Sequence, residues 1–239
     1  PFTRTAADMA LVWQVLSGRD GAVDTAPLRI GRLGGRFREN VDPDQLAAID
    51  ALAADAPLVE LPDIARARSA AFVITAFEGG NLHRKALAAK AMAFDPATRD
   101  RLLAGALLPR ALYEEAVRFR DSFRAEVHAL MTRFDGLLAP AAPCAAPLIA
   151  DPRIAIDGAL SPARADLGIH TQPISFTGLP SLAVPLYRPG RLPLGLQLIG
   201  APKGEPALLK LAAQLEAAGV AGATLPPGPI TGSQLGARQ

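Results

Sequence analysis

The run from Ser175 to Gly200, SFTGLPSLAVPLYRPGRLPLGLQLIG, constrains the fold of this chain more than any other stretch. Two short apolar segments, Ser181 to Pro185 and Leu194 to Gly200, flank Tyr187, Arg188, Pro189 and Gly190, residues that favour a turn over regular structure. In the second segment Leu194, Leu196 and Leu198 fall on one face while Gly195 and Gln197 fall on the other, which is the period of a strand and not of a helix. The pair reads as a hairpin, and Gly195 lets another backbone approach closely.

Helices and strands alternate through the rest. Thr5 caps a helix over Thr5 to Leu16 together with Asp8, its apolar residues Met9, Val12 and Leu16 recur at helical spacing, and Gly18 stops it. Leu28 to Leu33 reads as a strand. Asp42, Pro43 and Gln45 then supply an N-cap, a first-turn proline and a capping-box partner for a helix with Leu46, Ile49 and Leu52 or Ala53 inward. A short strand over Pro57 to Leu61 precedes a helix from Pro62 or Asp63 toward Phe77, broken by Gly79, Gly80 and Asn81. Strand, helix, strand, helix predicts a crossover unit and an α/β layer.

Pro96 opens a further helix carrying Thr98, Arg99 and Arg101. The strongest helical pattern follows, Leu112, Ala116, Phe119, Phe123, Val127, Leu130 and Phe134, with Glu114 and Arg118 supporting its wet face. Gly136 to Ala139 is a buried strand. Pro140, Pro143, Pro147, Pro152 and Pro162 mark an irregular connection to about Asp166, of the kind that carries binding surfaces. Leu208, Leu211, Ala212 and Leu215 make the last amphipathic helix, stopped by Gly219, and residues from Pro226 onward read as a frayed tail.

Half of the 239 residues are hydrophobic, enough for a substantial core. Lysine and arginine number 25 against 23 aspartates and glutamates, and the net +2 gives no electrostatic reason to expect a nucleic acid or an acidic membrane as partner. A single cysteine, Cys144, excludes an internal disulfide and a multi-cysteine metal site, and fits a reducing compartment. No apolar run approaches the ~20 residues of a membrane span. The expectation is a soluble, cytoplasmic protein.

The GLP turn, the small-residue run ending in VP, the LPLGLQLIG strand and the amphipathic helix after it resemble the C-terminal part of the amidase signature family. So does the opening, where Pro1, Phe2, Arg4, Thr5 and Asp8 resemble a segment just downstream of that family's catalytic region. The resemblance covers Pro1 to about Ala221 and implies one domain over residues 1–225, part of an α/β/α fold with a mixed central sheet covered by helices. Its wording, TRDRLLAGALLPRALYEEAVRFR with TQPISFTGLPSLAVP, is similar to the branch acting on 1-carboxybiuret. The implied reaction is hydrolysis of a C–N bond in a linear amide or urea-like substrate through a serine acyl-enzyme, with no metal or organic cofactor. A hydroxyl needs a base to take its proton and preset donors for the oxyanion, which is what that family's two serines, lysine and Gly/Ser-rich loop provide.

Those catalytic motifs do not occur in this sequence. The glycine pairs at Gly34 and Gly79 lack the serines, and Lys85, Lys90, Lys203 and Lys210 fall on exposed helices or loops. The expectation is an N-terminal catalytic half missing from this chain, and a chain inactive alone. Three positions are singled out by the resemblance as substrate-binding. Arg101 matches an arginine that holds the substrate carboxylate in the glutaminase component of the tRNA amidotransferases, since a guanidinium offers two parallel hydrogen bonds; its bland reading is a solvated helix charge. Thr171 and Gln172 match pocket-facing residues, a hydroxyl and an amide that donate and accept together; their bland reading is turn and strand packing. An acidic substrate contact of the same glutaminase component falls here on Gly168, which weakens a glutaminase reading.

His83, His128 and His170 lack the spacing of metal ligands. Cys144, without a nearby base, reads as an inert thiol, and Ser175 and Ser181 as local hydrogen-bonding groups. A fragment similar to that amidotransferase component or to allophanate hydrolase, a non-catalytic interaction module and a flavodoxin-like regulatory domain remain the rival readings; the last lacks its Gly-rich anion loop. A small partner subunit or a homodimer stays open.

Overall fold

The computed structural model describes residues 1–19 and 26–223. Its strands are β1 (Ile30–Leu33), β2 (Leu58–Val59), β3 (Gly136–Pro140), β4 (Arg153–Ile156), β5 (Ala159–Pro162), β6 (Ser181–Pro185) and β7 (Gly195–Gly200). Five of them form one mixed sheet in the order β2-β1-β3-β7-β6, and β4 pairs with β5 apart from it. β1 runs parallel to β2 and β3, with Arg32 opposite Leu58 and Leu138. The hairpin expected from the sequence is present: β6 and β7 pair antiparallel, with Val184 opposite Leu196, and β7 pairs antiparallel with β3, with Leu198 opposite Leu138.

The helices are α1 (Ala6–Ser17), α2 (Pro43–Leu52), α3 (Ile64–Leu82), α4 (Arg84–Lys90), α5 (Pro96–Leu107), α6 (Arg110–Met131), α7 (Ala163–Asp166), α8 (Gln172–Thr177) and α9 (Glu205–Ala217). Strand alternation sends successive side chains to opposite faces, so the sheet needs cover on both. Leu137, Ala139 and Ile199 join Ala67 of α3, Phe123 and Val127 of α6 and Ile174 of α8. On the other face Leu138, Leu196 and Leu198 join Ala6 of α1, Ile49 of α2 and Leu208 and Leu211 of α9.

Several local expectations are corrected. Gly79, Gly80 and Asn81 do not end α3, which continues to Leu82. A Cβ on Gly80 would lie 2.3 Å from the Ala106 nitrogen, and one on Gly105 1.8 Å from the Ala76 carbonyl oxygen, so these glycines let α3 and α5 touch along their backbones. Close packing outweighs the ~1 kcal/mol that a helical glycine costs. The connection after Pro140 is not wholly irregular, because β4 and β5 turn through Asp157 and Gly158 with φ of 50° and 79°, the left-handed pair of a two-residue hairpin.

Gln45 does not close a capping box; it is buried and donates to the Gly195 carbonyl, while Asp42 accepts from the Asp44 N–H. Glu114 pairs at 2.8 Å with Arg110, one turn before it, and not with Arg118. The segment before the GLP turn is helical: α8, whose last turn closes at Gly178, φ 71°. The expected tail lies outside the described residues.

Asp50 of α2 joins the layers by pairing with Arg32 of β1 and with Arg38, each at 2.7 Å. The hydrogen bond from Arg38, with that from Arg32, outweighs burial and holds the Asp50 carboxyl below the usual range. A depressed carboxyl contributes stability above the unfolded-state value and loses it as pH falls through the folded one. Asp50→Asn is therefore expected to lower the unfolding midpoint at neutral pH, with the gap to the parent closing as the pH is taken below the ordinary carboxylate range. A gap constant with pH assigns the effect to packing.

Candidate active-site wall

The segment that leads into α8 is held from two sides. The buried His170 ring contacts the Glu39 carbonyl through Nε2 at 3.1 Å, and its own carbonyl accepts from Gln197 of β7 at 3.3 Å. Burial pushes the His170 imidazole below its ordinary value, opposed by hydrogen bonding to backbone carbonyls of Glu39 and Arg36. The Gly168 carbonyl accepts from the Gln172 N–H at 2.8 Å and starts the helix. His128 of α6 meets the Thr177 carbonyl at 3.1 Å and fixes its far end.

α3, α6 and α8 enclose an open cavity of about 440 Å3. Ala71, Ile74 and Thr75 of α3 line it on one side, Arg120 and Arg124 of α6 on another, and Gln172, Ser175 and Phe176 on the third. Gln172 therefore faces the cavity. Arg101 of α5 stands beside it, donating to the Thr75 hydroxyl with its guanidinium carbon 5.0 Å above the centre of the Phe72 ring. Thr171 is half-buried at the start of α8; its hydroxyl turns toward the Gly168 carbonyl at 3.5 Å and does not line the cavity. The structure thus brings Arg101 and Gln172 to one place through Thr75 and leaves Thr171 behind them.

Three cavity residues, Thr75, Arg120 and Arg124, were not singled out by the sequence. The available signal was the four-residue spacing of Arg120 and Arg124 on one face of α6. It is weak by itself, because arginines at that spacing are common on solvated helix surfaces.

Other nucleophile and ligand candidates are engaged elsewhere. Burial, with the Asp42 charge, pushes the half-buried Cys144 thiol up and keeps it protonated, the wrong direction for a nucleophile. Ser181 donates to the Gln197 amide oxygen at 3.2 Å, and Ser161 to Asp166. Burial opposes ionisation of Asp166, but that hydroxyl and Arg68 together hold its carboxyl below the usual range, which makes it a poor base. His83 stands edge-on to Phe94. Among the described residues no three His, Cys, Asp or Glu side chains are placed to hold a metal, and no helix is long and apolar enough to cross a membrane. The geometry can orient a ligand with guanidinium, hydroxyl and amide groups.

Comparison with known proteins agrees with this architecture. The family model described as Amidase matches residues 1–209. The AtzE component of 1-carboxybiuret hydrolase from Pseudomonas sp. (strain ADP) is 43% identical over 202 residues, covering 82% of this chain and 44% of that protein. A glutamyl-tRNA(Gln) amidotransferase subunit of Methanosarcina barkeri (strain Fusaro / DSM 804) is 26% identical over 262 residues, covering 90% of this chain and 54% of that one. An inhibitor-bound vestigial protein complex, one that reveals the evolutionary origins of an s-triazine catabolic enzyme, superposes with a TM-score of 0.78 at 41% identity, over 84% of this chain and 45% of that one. The chain spans about half the length of the curated relatives it matches. With the family model matching residues 1–209 and the mixed sheet and covering helices superposing on that solved relative, this chain belongs to the amidase family.

Proposed function

We propose that the whole protein hydrolyses a C–N bond of a linear, non-peptide amide or urea-like compound through a serine acyl-enzyme, with 1-carboxybiuret as the leading substrate. The observation that carries this reading is the 43% identity to a component of 1-carboxybiuret hydrolase. In this reading the described residues form framework and one wall of the pocket, and the nucleophile and its base come from outside them. Gln172 orients the amide by donating and accepting at once, and Arg101 supplies positive charge at the rim. Gly168 offers only its backbone where a glutaminase reading wants a carboxylate, which favours a urea-like substrate over glutamine. The proposed setting is cytoplasmic, with a small partner subunit, in line with a related structure solved as a protein complex.

The test is ammonia release from biuret-like and simple linear amides by this chain alone and by the chain within its complete reading frame. Release by the longer form only, abolished by removing its serine nucleophile, is the expected result; turnover by the short chain overturns it. In the active form Arg101→Ala is expected to raise KM about 10- to 100-fold, the worth of a charge-assisted hydrogen bond, with kcat changed less. An unchanged KM removes Arg101 from the site.

A further inference from the structure

Arginines in this chain are, as a rule, paired. Arg29, Arg32, Arg36, Arg38, Arg68 and Arg164 each lie within 3.0 Å of an aspartate oxygen. Others, among them Arg101, Arg118, Arg124 and Arg133, have no carboxylate partner among the described residues, and two arginines stand one turn apart on α6. Arg120 reaches only its sequence neighbour Asp121, at 3.4 Å, and among the described residues no carboxylate pairs with Arg124. Both line the cavity between α3, α6 and α8, and among the described residues no acidic side chain lines it with them.

What surrounds them is suited to a small anion. Arg124 is exposed, and its guanidinium carbon lies beside Gly178, 4.0 Å from where a side chain would begin there. Gln172 and Ser175 add amide and hydroxyl donors across the cavity. Its volume of about 440 Å3 falls within the ~300–1,000 Å3 of small-molecule sites. Arg124, without a carboxylate partner, and Arg120, whose Nε and Nη2 reach Asp121 only at 3.4 Å while its Nη1 is left over, stand on one concave wall and match a planar carboxylate better than a spherical ion, because a guanidinium offers parallel N–H groups.

We propose that Arg120 and Arg124 form a clamp for the carboxylate of a small anionic ligand, with Gln172 and Ser175 holding the rest of that molecule. The clamp's use as a substrate handle rests on the amide-hydrolase reading above; the binding of a carboxylate does not. A substrate held here carries a carboxylate at one end, and a neutral analogue of the same length binds more weakly.

Malonate is the probe, titrated calorimetrically into the protein at low and at physiological salt, with inorganic phosphate run in parallel. The parent is expected to bind malonate more tightly than phosphate. Arg120→Gln and Arg124→Gln are each expected to weaken malonate about 10- to 100-fold, as for the loss of a charge-assisted hydrogen bond. Arg124→Lys, which keeps the charge and loses the fork, is expected to fall between. Arg118→Gln, on the same helix and outside the cavity, is the control and is expected to bind like the parent.

Thermal unfolding of each variant separates lost binding from lost folding. No malonate binding by the parent, equal losses in the cavity variants and in Arg118→Gln, or phosphate bound as tightly as malonate each overturns the clamp. Malonate binding without any ammonia release by the complete protein leaves the clamp standing and fails the hydrolase reading. Ammonia release with no malonate binding, and with KM unchanged in Arg124→Gln, does the reverse.

Discussion

Gly105→Ala is expected to destabilise the protein by about 3 kcal/mol, near the upper end for overpacking a well-packed contact. The sign is what makes the experiment informative. In an isolated helix, replacing glycine by alanine stabilises by ~1 kcal/mol. Here the new methyl group would stand 1.8 Å from the Ala76 carbonyl oxygen and 2.3 Å from its carbon, both backbone atoms that no rotamer change can move. α3 and α5 must separate, and Gly80, whose own Cβ position is 2.6 Å from the Leu102 carbonyl oxygen, marks the same contact from the other helix. Urea denaturation reads the effect, with the reverse change at the exposed Ala104, Ala104→Gly, expected to cost only the propensity term of ~1 kcal/mol. A stabilised Gly105→Ala would show that the helices do not meet this closely. Because α3 carries Thr75 and α5 carries Arg101, separation also breaks the Arg101–Thr75 hydrogen bond at the rim of the cavity.

Leu198→Ala is expected to cost about 3 kcal/mol, within the ~2–5 kcal/mol range of buried leucine truncations. Leu198 has no exposed surface and sits on the middle strand of the β3-β7-β6 unit, opposite Leu138 on one neighbour and Leu182 on the other. Its side chain joins Leu196, Leu208 and Leu211 beneath α9, where a cavity cannot collapse without moving strand or helix. Leu192, in the turn of the same hairpin, is 58% exposed, and Leu192→Ala is expected to change stability by no more than ~0.5 kcal/mol. Equal losses at the two positions would mean that the hairpin is not seated on the core.

Both results bear on function through the position of α8. Gln197 lies next to Leu198 on β7, and its amide hydrogen-bonds to the His170 carbonyl in the segment that delivers Gln172 to the cavity. Core packing of β7 and placement of the site are therefore one mechanical problem. Gln197 is buried, so loss of its amide would leave the His170 carbonyl without that partner, a more costly change than the loss of a surface hydrogen bond.

Legibility in the sequence followed physical range. The β6–β7 hairpin, the Thr5 and Asp42 caps, the crossover through α2 and the long stripe of α6 depend on residues close together in the chain, and all of them were readable from period and capping chemistry. The β4–β5 hairpin was readable in principle, because Asp157-Gly158 is the turn pair such a hairpin wants; the surrounding prolines masked it. Gly79-Gly80 misled, since a glycine pair carries the same local signal whether it ends a helix or admits a second one.

The site divides in the same way. Periodicity and motifs written in consecutive residues were enough for the α/β fold and the family resemblance, and through that resemblance Arg101, Thr171 and Gln172 became candidates. Packing had to be seen before Gln172 could be placed on a cavity and Thr171 against Gly168, before Arg101 met Thr75, and before Arg120 and Arg124 came together on one wall, Arg124 without a carboxylate partner among the described residues. Whether an arginine is neutralised or left open depends on which carboxylate the fold brings within a few ångströms, and residues such as Arg36 and Asp157, paired across 121 positions, cannot be matched by any local pattern.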